Sequence, residues 1–152
     1  MVISTAAIAD ANEILRVQKL AYQIEAARYN DYTIPPLIES VEDIASDIKN
    51  QTVLKVTVDG KIIGSIRGYI QGDSAYIRRL FVHPEYRRQG IGTRLMQAIE
   101  KSLHQAKRYE LFTGHKSVGN IRLYQKLGYG PIRTETINDQ LALVYMEKLT
   151  DD

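Results

Sequence analysis

The segment Arg87–Thr93, RRQGIGT, places two cations and two glycines just before apolar residues at helical spacing. The first amide groups of a helix lack an acceptor within the helix, and that helix end carries partial positive charge, so an anion can satisfy both. Gly90 and Gly92 lack a Cβ and would let an anion approach the backbone closely. Arg87 and Arg88 add full charges whose geometry suits phosphate. The segment is therefore predicted to bind an anion, with a diphosphate as the best candidate.

The neighbouring residues exclude two other phosphate-binding loops. No Gly-Lys-Ser/Thr triplet follows the glycines, so the segment is not a Walker A loop. Leu95 stands where the dinucleotide-binding fingerprint would have its third glycine. The alternative that stays open is a tight strand-to-helix turn whose arginines are simply exposed to solvent.

Hydrophobic periodicity predicts the elements that must position this turn. The predicted order is a strand, two helices, three strands, a helix, a strand, a helix and two strands. Helices and strands mix without regular alternation, so the fold class is α/β of the layered α+β kind rather than a doubly wound sheet. The predicted bounds are strands over 1–5, 52–58, 61–70, 75–82, 109–114, 130–137 and 140–149, and helices over about 10–28, 40–49, 91–103 and 117–128.

Local signals mark the ends of several elements. The pairs Asp10–Glu13 and Ser40–Asp43 predict capping boxes at the first two helices. Pro35-Pro36 predicts a loop between them, because proline excludes a helix interior. Asp59-Gly60 predicts a tight primed turn between two strands.

The composition is that of an ordinary soluble globular protein. With 152 residues, 44% hydrophobic and 25% charged, we expect a single domain over 1–152. The chain has no cysteine, which fits a reducing compartment. No signal-peptide pattern and no run of 18 apolar residues is present, so we expect a cytoplasmic protein without a membrane partner.

Charge is distributed unevenly along the chain. Residues 1–75 carry 7 Lys/Arg against 10 Asp/Glu (−3), residues 76–133 carry 12 against 3 (+9), and residues 134–152 carry 1 against 5 (−4). A basic middle suggests a centrally bound polyanionic ligand, and scattered solvated charge is the alternative. We expect no nucleic-acid partner, because no helix-turn-helix, zinc-ligand or RNA-binding aromatic motif is present. Three histidines without clustered carboxylates predict no metal site.

Two motifs resemble those of a known family. LFVHPEYRRQGIGTRLM resembles motif A of the GCN5-related N-acetyltransferases (the GNAT family), whose signature Gln/Arg-x-x-Gly-x-Gly/Ala is met by Arg87, Gly90 and Gly92. NIRLYQKLGY resembles motif B, with Asn120 and Tyr124 in the expected order. The predicted element order also matches the family, and the resemblance covers nearly the whole chain. It implies a mixed, mostly antiparallel central sheet flanked by helices.

The resemblance implies acetyl-coenzyme A as co-substrate. In the family, the diphosphate lies on the loop amides, and the pantetheine arm pairs with backbone freed where the strand before the loop diverges from its neighbour. The residues implied in coenzyme binding are Phe81, Val82, Arg87, Arg88, Gly90, Ile91, Gly92, Thr93 and Asn120.

The resemblance also implies an activity, the transfer of the acetyl group to a primary amine by direct attack. Tyr124 is expected near the thiol as the general acid, since a tyrosine with a pKa of about 10 stays protonated at neutral pH and can donate to a departing thiolate. Without the resemblance, Tyr124 would be interpreted as one of ten tyrosines, half-buried on a helix.

The chain departs from the family pattern at the general base. Many relatives carry a glutamate on the strand before motif A, whereas here no carboxylate lies between Asp73 and Glu85. Glu25, Glu110 and a water chain leading to solvent are the alternatives, and the base stays unassigned.

Acceptor specificity is expected in the first two helices and the loop between them. Aromatic faces beside carboxylates suit a cationic amine, so we predict a small cationic amine as the acceptor. Asp31 and Glu39 would add carboxylates to that segment. The candidate acceptor-binding residues are Tyr22, Glu25, Tyr29 and Tyr32.

Several alternatives stay open. These tyrosines could simply pack the helices. The acceptor could instead be a protein lysine or N-terminus, and the chain could be a non-catalytic acyl-CoA-binding module. Members of the family often dimerise, so the resemblance allows a homodimer.

Overall fold

The computed structural model describes residues 1–150. Its strands are β1 Val2–Thr5, β2 Thr52–Val58, β3 Lys61–Gln71, β4 Ser74–Val82, β5 Arg108–Gly114, β6 Gly130–Thr136 and β7 Ala142–Leu149. Its helices are α1 Ala11–Tyr29, α2 Pro35–Ile38, α3 Val41–Asn50, α4 Ile91–Ser102 and α5 Val118–Lys126. Within residues 1–150, no helix combines the length and the apolar character needed to cross a membrane.

The strands form one sheet in the order β1-β2-β3-β4-β5-β7-β6. Neighbouring strands are antiparallel except β4 and β5, which are parallel. A parallel pair needs a long crossover, and α4 lies in that connection. The predicted mixed, mostly antiparallel sheet flanked by helices is confirmed.

The hydrophobic core has two parts, one on each face of the sheet. Successive strand residues point to opposite faces. Accordingly, Val53 packs with the buried side chains of α1 and α3, whereas Leu54 packs with those of α4 and α5. The same alternation separates Ile62 from Ile63. The helices therefore hold the sheet from both sides around its middle strands.

Two of the four predicted local signals are confirmed. The Ser40 hydroxyl accepts from the Asp43 amide at 3.1 Å, and the Asp43 carboxylate accepts from the Ser40 amide at 3.0 Å, so this capping box is confirmed. Asp59 and Gly60 both have positive φ, 51° and 77°, as a primed turn between β2 and β3 requires.

Two local predictions are wrong. Asp10 and Glu13 form no capping box, because Asp10 accepts from the Ala7 amide at 2.8 Å and pairs with Lys55 at 2.7 Å. Glu13 instead accepts from the Ile62 amide at 2.9 Å and ties α1 to β3. The Pro35-Pro36 pair does not exclude helix but begins α2, where proline is tolerated because first-turn amides need no helical acceptor.

Candidate active site

The start of α4 leaves its first backbone amides without a cap. Gly90 precedes the helix in a left-handed conformation with φ of 76°, and within residues 1–150 no side chain caps this end. The first amide bonded within the helix is that of Arg94, which donates to the Gly90 carbonyl at 3.1 Å. By contrast, Ser40 caps α3. The free amides of the first turn of α4 are available to an anion, as predicted.

These amides open into a cleft of about 440 Å³ between α1, β4, α4 and α5. We call it the basic cleft, because Arg28, Arg87 and Arg88 lie on its wall. All nine predicted coenzyme-binding residues line it. The lining residues are Ala21, Tyr22, Glu25, Arg28, Leu80, Phe81, Val82, Tyr86, Arg87, Arg88, Gly90, Ile91, Gly92, Thr93, Gly119, Asn120 and Leu123.

The sheet opens beside this cleft. β4 and β5 pair only from Ser74 opposite Arg108 to Tyr76 opposite Glu110, and beyond this point the two strands separate. A bulge in β4 accompanies the separation, since the register with β3 shifts between Ser65 and Arg67, and Arg79 takes a positive φ of 56°. The backbone of the second half of β4 therefore borders the cleft on the side that faces away from β3, as the resemblance implied.

A second cavity of about 280 Å³ lies on the other side of this opening. We call it the apolar cavity, because most of its wall is aliphatic or aromatic. The lining residues are Tyr22, Glu25, Tyr29, Ile34, Pro35, Pro36, Ile77, Arg78, Arg79, Leu80, Leu111, Phe112, Thr113, Gly114, Asn120, Tyr124, Ile137, Leu141 and Leu143. Tyr22, Glu25, Leu80 and Asn120 line both cavities, so the two meet at these four residues.

Tyr124 lies on α5, one helical turn after Asn120, and both residues line the apolar cavity. Its side chain is 6% exposed, and its ring packs 6.1 Å from that of Tyr129. Burial raises the pKa of Tyr124 above its ordinary value, and the nearby Tyr22 and Glu25 raise it further. The hydroxyl therefore stays protonated at neutral pH.

Tyr22 is held against the bulged strand. Its hydroxyl donates to the Leu80 carbonyl at 3.2 Å, and its ring lies 6.2 Å from that of Phe81. Burial raises the pKa of Tyr22 to about 12. Tyr22 thus fixes α1 to β4 at the point where the two cavities meet.

Glu25 is the single carboxylate that lines either cavity within residues 1–150. It accepts a hydrogen bond from the Ser117 hydroxyl at 2.6 Å and forms an ion pair with Arg28. Glu110, the other candidate base, lies outside both cavities and pairs with Arg108 at 2.9 Å and Arg133 at 3.6 Å. The geometry therefore favours Glu25 over Glu110 at the place where chemistry would occur.

The remaining predicted acceptor residues occupy different places. Tyr29 is 3% exposed, and its hydroxyl bonds to the Ser117 hydroxyl at 2.8 Å and accepts from the Lys116 amide at 2.9 Å. A Cβ on Gly114 would lie 2.0 Å from this hydroxyl, so Gly114 makes room for it. Tyr29 forms part of the apolar wall, whereas Tyr32 is 55% exposed and lies outside both linings.

A buried polar network beneath the apolar cavity was missed by sequence reasoning. Arg67 is 1% exposed, donates to Glu39 at 3.1 Å and to Asp47 at 2.9 Å, and bonds to Gln18. Gln18 also donates to the Pro36 carbonyl at 2.9 Å, which anchors α2. The only available signal was an arginine in the middle of β3, between Ile66 and Gly68 in a strand rich in isoleucine.

Glu39 belongs to this network and is not a free acceptor-binding carboxylate. Burial by itself would raise its pKa, but the hydrogen bond from Gln18 and the charges of Arg67 and Arg79 hold the pKa below its ordinary value. Asp31 is also engaged, since it accepts from the Thr33 amide at 2.8 Å. Of the three carboxylates expected to attract a cationic acceptor, Glu39 is thus paired with arginines, Asp31 lies outside both linings, and Glu25 lines both cavities.

A model of the acetyltransferase (GNAT) family matches residues 14–129, which include both motifs and most of the lining of the two cavities. The chain belongs to the GNAT family. This confirms the family resemblance that the two motifs predicted.

This GNAT-family chain is 32% identical over 124 residues to the UPF0157 protein YqkA of Bacillus subtilis (strain 168), a match that covers 82% of the chain and 36% of that relative. It is 30% identical over 90 residues to acetyltransferase ECA0875 of Pectobacterium atrosepticum, covering 58% of the chain and 64% of that protein. The chain therefore spans between about a third and two thirds of the length of these relatives.

The fold is similar to that of PaiA N-acetyltransferase from Thermoplasma acidophilum, solved in complex with coenzyme A. The TM-score is 0.81, the identity is 21%, and the similarity covers 98% of both chains. At this level of identity the comparison establishes the GNAT fold.

Proposed function

We propose that this GNAT-family chain transfers the acetyl group of acetyl-CoA to a primary amine, within one domain that spans residues 1–152. The observation that carries the proposal is the junction of the two cavities where β4 and β5 separate. One cavity has the features of a site for an anionic donor, and the other is an apolar site for an acceptor. A transferase needs both, meeting at a common point.

The residues of the basic cleft fit acetyl-CoA. The uncapped amides of Ile91, Gly92 and Thr93, with Arg87 and Arg88 beside them, would hold the diphosphate. The backbone near Phe81 and Val82, together with Asn120, would hold the pantetheine arm. The bound co-substrate would supply an activated thioester.

Glu25, at the junction, and Tyr124, on the wall of the apolar cavity one helical turn after Asn120, would have complementary roles. Attack by a neutral amine nitrogen forms a C–N bond and breaks the C–S bond of the thioester. Tyr124 supplies the proton that the sulfur requires, and Glu25 takes the proton that the nitrogen releases, directly or through a water molecule. Because burial raises its pKa, Tyr124 is protonated at neutral pH and carries the proton to be donated.

The size of the apolar cavity supports a small molecule as the acceptor. Its volume of about 280 Å³ lies just below the range of roughly 300–1,000 Å³ for small-ligand sites. α2 and the β6–β7 connection contribute Pro35, Pro36, Ile137 and Leu141 to the wall. The choice of a small molecule over a protein lysine or N-terminus rests on this limited volume. A homodimer and a cytoplasmic location remain expectations.

The expectation of a cationic acceptor keeps only part of its support. It rested on aromatic faces beside carboxylates in the first half of the chain. Of those carboxylates, Glu25 lines the apolar cavity but is paired with Arg28, Glu39 is paired with Arg67, and Asp31 lies outside both linings. The charge of the acceptor must therefore be argued from the wall of the apolar cavity.

Two measurements test the proposed function. Calorimetry should detect acetyl-CoA binding, and thiol release from acetyl-CoA should depend on added amine. Binding of acetyl-CoA without thiol release for any amine or peptide would support the non-catalytic acyl-CoA-binding module instead. If acetyl-CoA does not bind, both the transferase and the binding module are contradicted.

A further inference from the structure

Two arginines of β4 contribute the cationic part of the apolar cavity wall. Arg78 pairs with β3 immediately before the bulge, and Arg79 lies within it; both line this cavity but not the basic cleft. The rest of the wall is mostly aliphatic and aromatic, so these guanidinium groups are its main charged features.

Arg78 is held in place by aromatic rings rather than by a carboxylate. Its guanidinium lies 4.8 Å from the centre of the Phe112 ring and 5.6 Å from that of Tyr76. One nitrogen, Nη1, donates to the Ile77 carbonyl at 3.0 Å. Within residues 1–150, Arg78 takes part in no ion pair. It therefore presents an oriented, unneutralised charge with unused donors.

Arg79 adds little to the positive charge of the cavity wall. Its Nε atom is buried without a hydrogen-bond partner among the described residues. This Nε atom lies 3.5 Å from Oε1 of Glu39 in an ion pair. The same oxygen also pairs with Arg67. Glu39 and Asp47 together balance Arg67 and Arg79, so the net charge at this end of the cavity comes from Arg78.

The one carboxylate on the wall does not offset that charge. Glu25 lies at the junction with the basic cleft, where Arg28 and the Ser117 hydroxyl engage it. The wall of the apolar cavity thus includes the cation Arg78 as well as Leu80 and Asn120 at the junction, and most of the remaining wall is aliphatic or aromatic. Arg78 and Leu80 are two positions apart on β4, so their Cα atoms are at most about 7 Å apart.

We propose that the acceptor is a primary amine that carries a carboxylate, with Arg78 as the residue that binds it. A guanidinium with free donors can hold a carboxylate by two parallel hydrogen bonds. The amine would then lie at the junction, and a short apolar chain would occupy the space between. This inference rests on the proposed acetyl transfer and names the class of its acceptor, an amino acid of short chain length.

The test compares three acceptors of equal chain length that differ only in the group opposite the amine. An ω-amino acid, its carboxamide and the corresponding diamine present a negative, a neutral and a positive end. Thiol release is measured for chains of two to six carbons. We expect the acid to show the highest kcat/KM, the carboxamide about 10- to 100-fold less, and the diamine the lowest, through differences in KM.

The matched variants are Arg78→Gln and Arg133→Gln. Arg133 stacks on Tyr145 at 4.0 Å, much as Arg78 stacks on Phe112, but it lies on β6 outside both cavities and is 54% exposed. Arg78→Gln should reduce kcat/KM for the acid about 10- to 100-fold, change that for the carboxamide less than twofold, and leave acetyl-CoA affinity unaltered. Arg133→Gln should preserve the preference for the acid.

Each other outcome has a distinct meaning. If the carboxamide or the diamine is turned over as well as the acid or better, the carboxylate proposal is overturned while acetyl transfer stands. The same holds if Arg133→Gln lowers kcat/KM for the acid as much as Arg78→Gln does. Thiol release from no member of the panel and from no short peptide overturns the proposed function, and this inference with it. Unchanged acetyl-CoA affinity shows that Arg78→Gln is folded.

Discussion

The Glu25 carboxylate accepts a hydrogen bond from the Ser117 hydroxyl at 2.6 Å, although 92 residues separate the two along the chain. Glu25 lies near the end of α1, and Ser117 immediately precedes α5. The contact joins the helix that carries the proposed base to the helix that carries the proposed acid. The bond thus links α1 to the start of α5 beside the proposed site.

Replacing Glu25 by Gln should lower kcat about 10²- to 10⁴-fold if Glu25 is the base, because the amide cannot take the proton of the amine. Acetyl-CoA affinity should change little. Ser117→Ala is the control: it keeps the carboxylate but removes the bond that orients it, and should cost less in kcat. If Glu25→Gln retains full activity, a water chain rather than Glu25 serves as the base.

Replacing Tyr124 by Phe should lower kcat by a similar factor with an unchanged KM for acetyl-CoA, since only the proton donor is lost. Because burial raises its pKa, Tyr124 stays protonated, and the wild-type rate should show no alkaline loss due to Tyr124 below about pH 10.

Tyr129→Phe provides the matched control for Tyr124→Phe. Tyr129 packs against Tyr124 and donates to Glu100 at 2.8 Å, but it lies outside both cavities. Its substitution should reduce stability by about 1–3 kcal/mol and leave kcat within a few-fold. Equal activity of Tyr124→Phe and the wild type would remove Tyr124 as the general acid.

Gly90→Val and Gly60→Val should separate backbone strain from ligand binding. The two glycines have nearly equal φ, 76° and 77°, and a Cβ on either would meet no protein atom within 4 Å. Each substitution should therefore destabilise the fold by a similar amount, about 1–3 kcal/mol. Only Gly90→Val should weaken acetyl-CoA binding, by tenfold or more in calorimetry, because only Gly90 borders the free amides of α4. Equal affinities in the two variants would contradict the anion site.

Replacing Glu39 by Gln should make the free energy of unfolding less sensitive to acid. The pKa of Glu39 is held below its ordinary value of 4.5 in the folded protein, so its contribution to stability is present above about pH 4.5 and is lost as the pH falls through the folded pKa. Urea unfolding at several pH values should show this loss in the wild type and a smaller one in Glu39→Gln. Glu42→Gln, an exposed substitution on α3, should behave like the wild type. An identical pH profile for Glu39→Gln would contradict the assignment.

Short-range rules were enough to predict the features of the fold and the site that depend on residues of a single segment. The uncapped start of α4, its flanking arginines and the spacing of Asn120 and Tyr124 depend on neighbours within a turn or two. Capping, left-handed glycine and helical periodicity therefore suffice to predict them. The same holds for the Ser40–Asp43 cap and the Asp59-Gly60 turn. Where a partner from another segment competed, as Lys55 did for Asp10 and Ile62 for Glu13, the local rule failed.

The arrangement of the acceptor-binding residues depends on contacts between distant segments of the chain. Hydrophobic periodicity does not predict such contacts. Glu25 and Glu110 are equivalent candidates in the sequence, yet packing places one at the junction and the other among arginines. Glu39 looks free until Arg67, 28 residues away, is found buried against it. The net charge of the acceptor-binding wall depends on how the ionic side chains pair with one another. Burial and strand register determine those pairs. Among residues 1–150, Arg78 has no ion-pair partner, and it lies where β4 and β5 have separated.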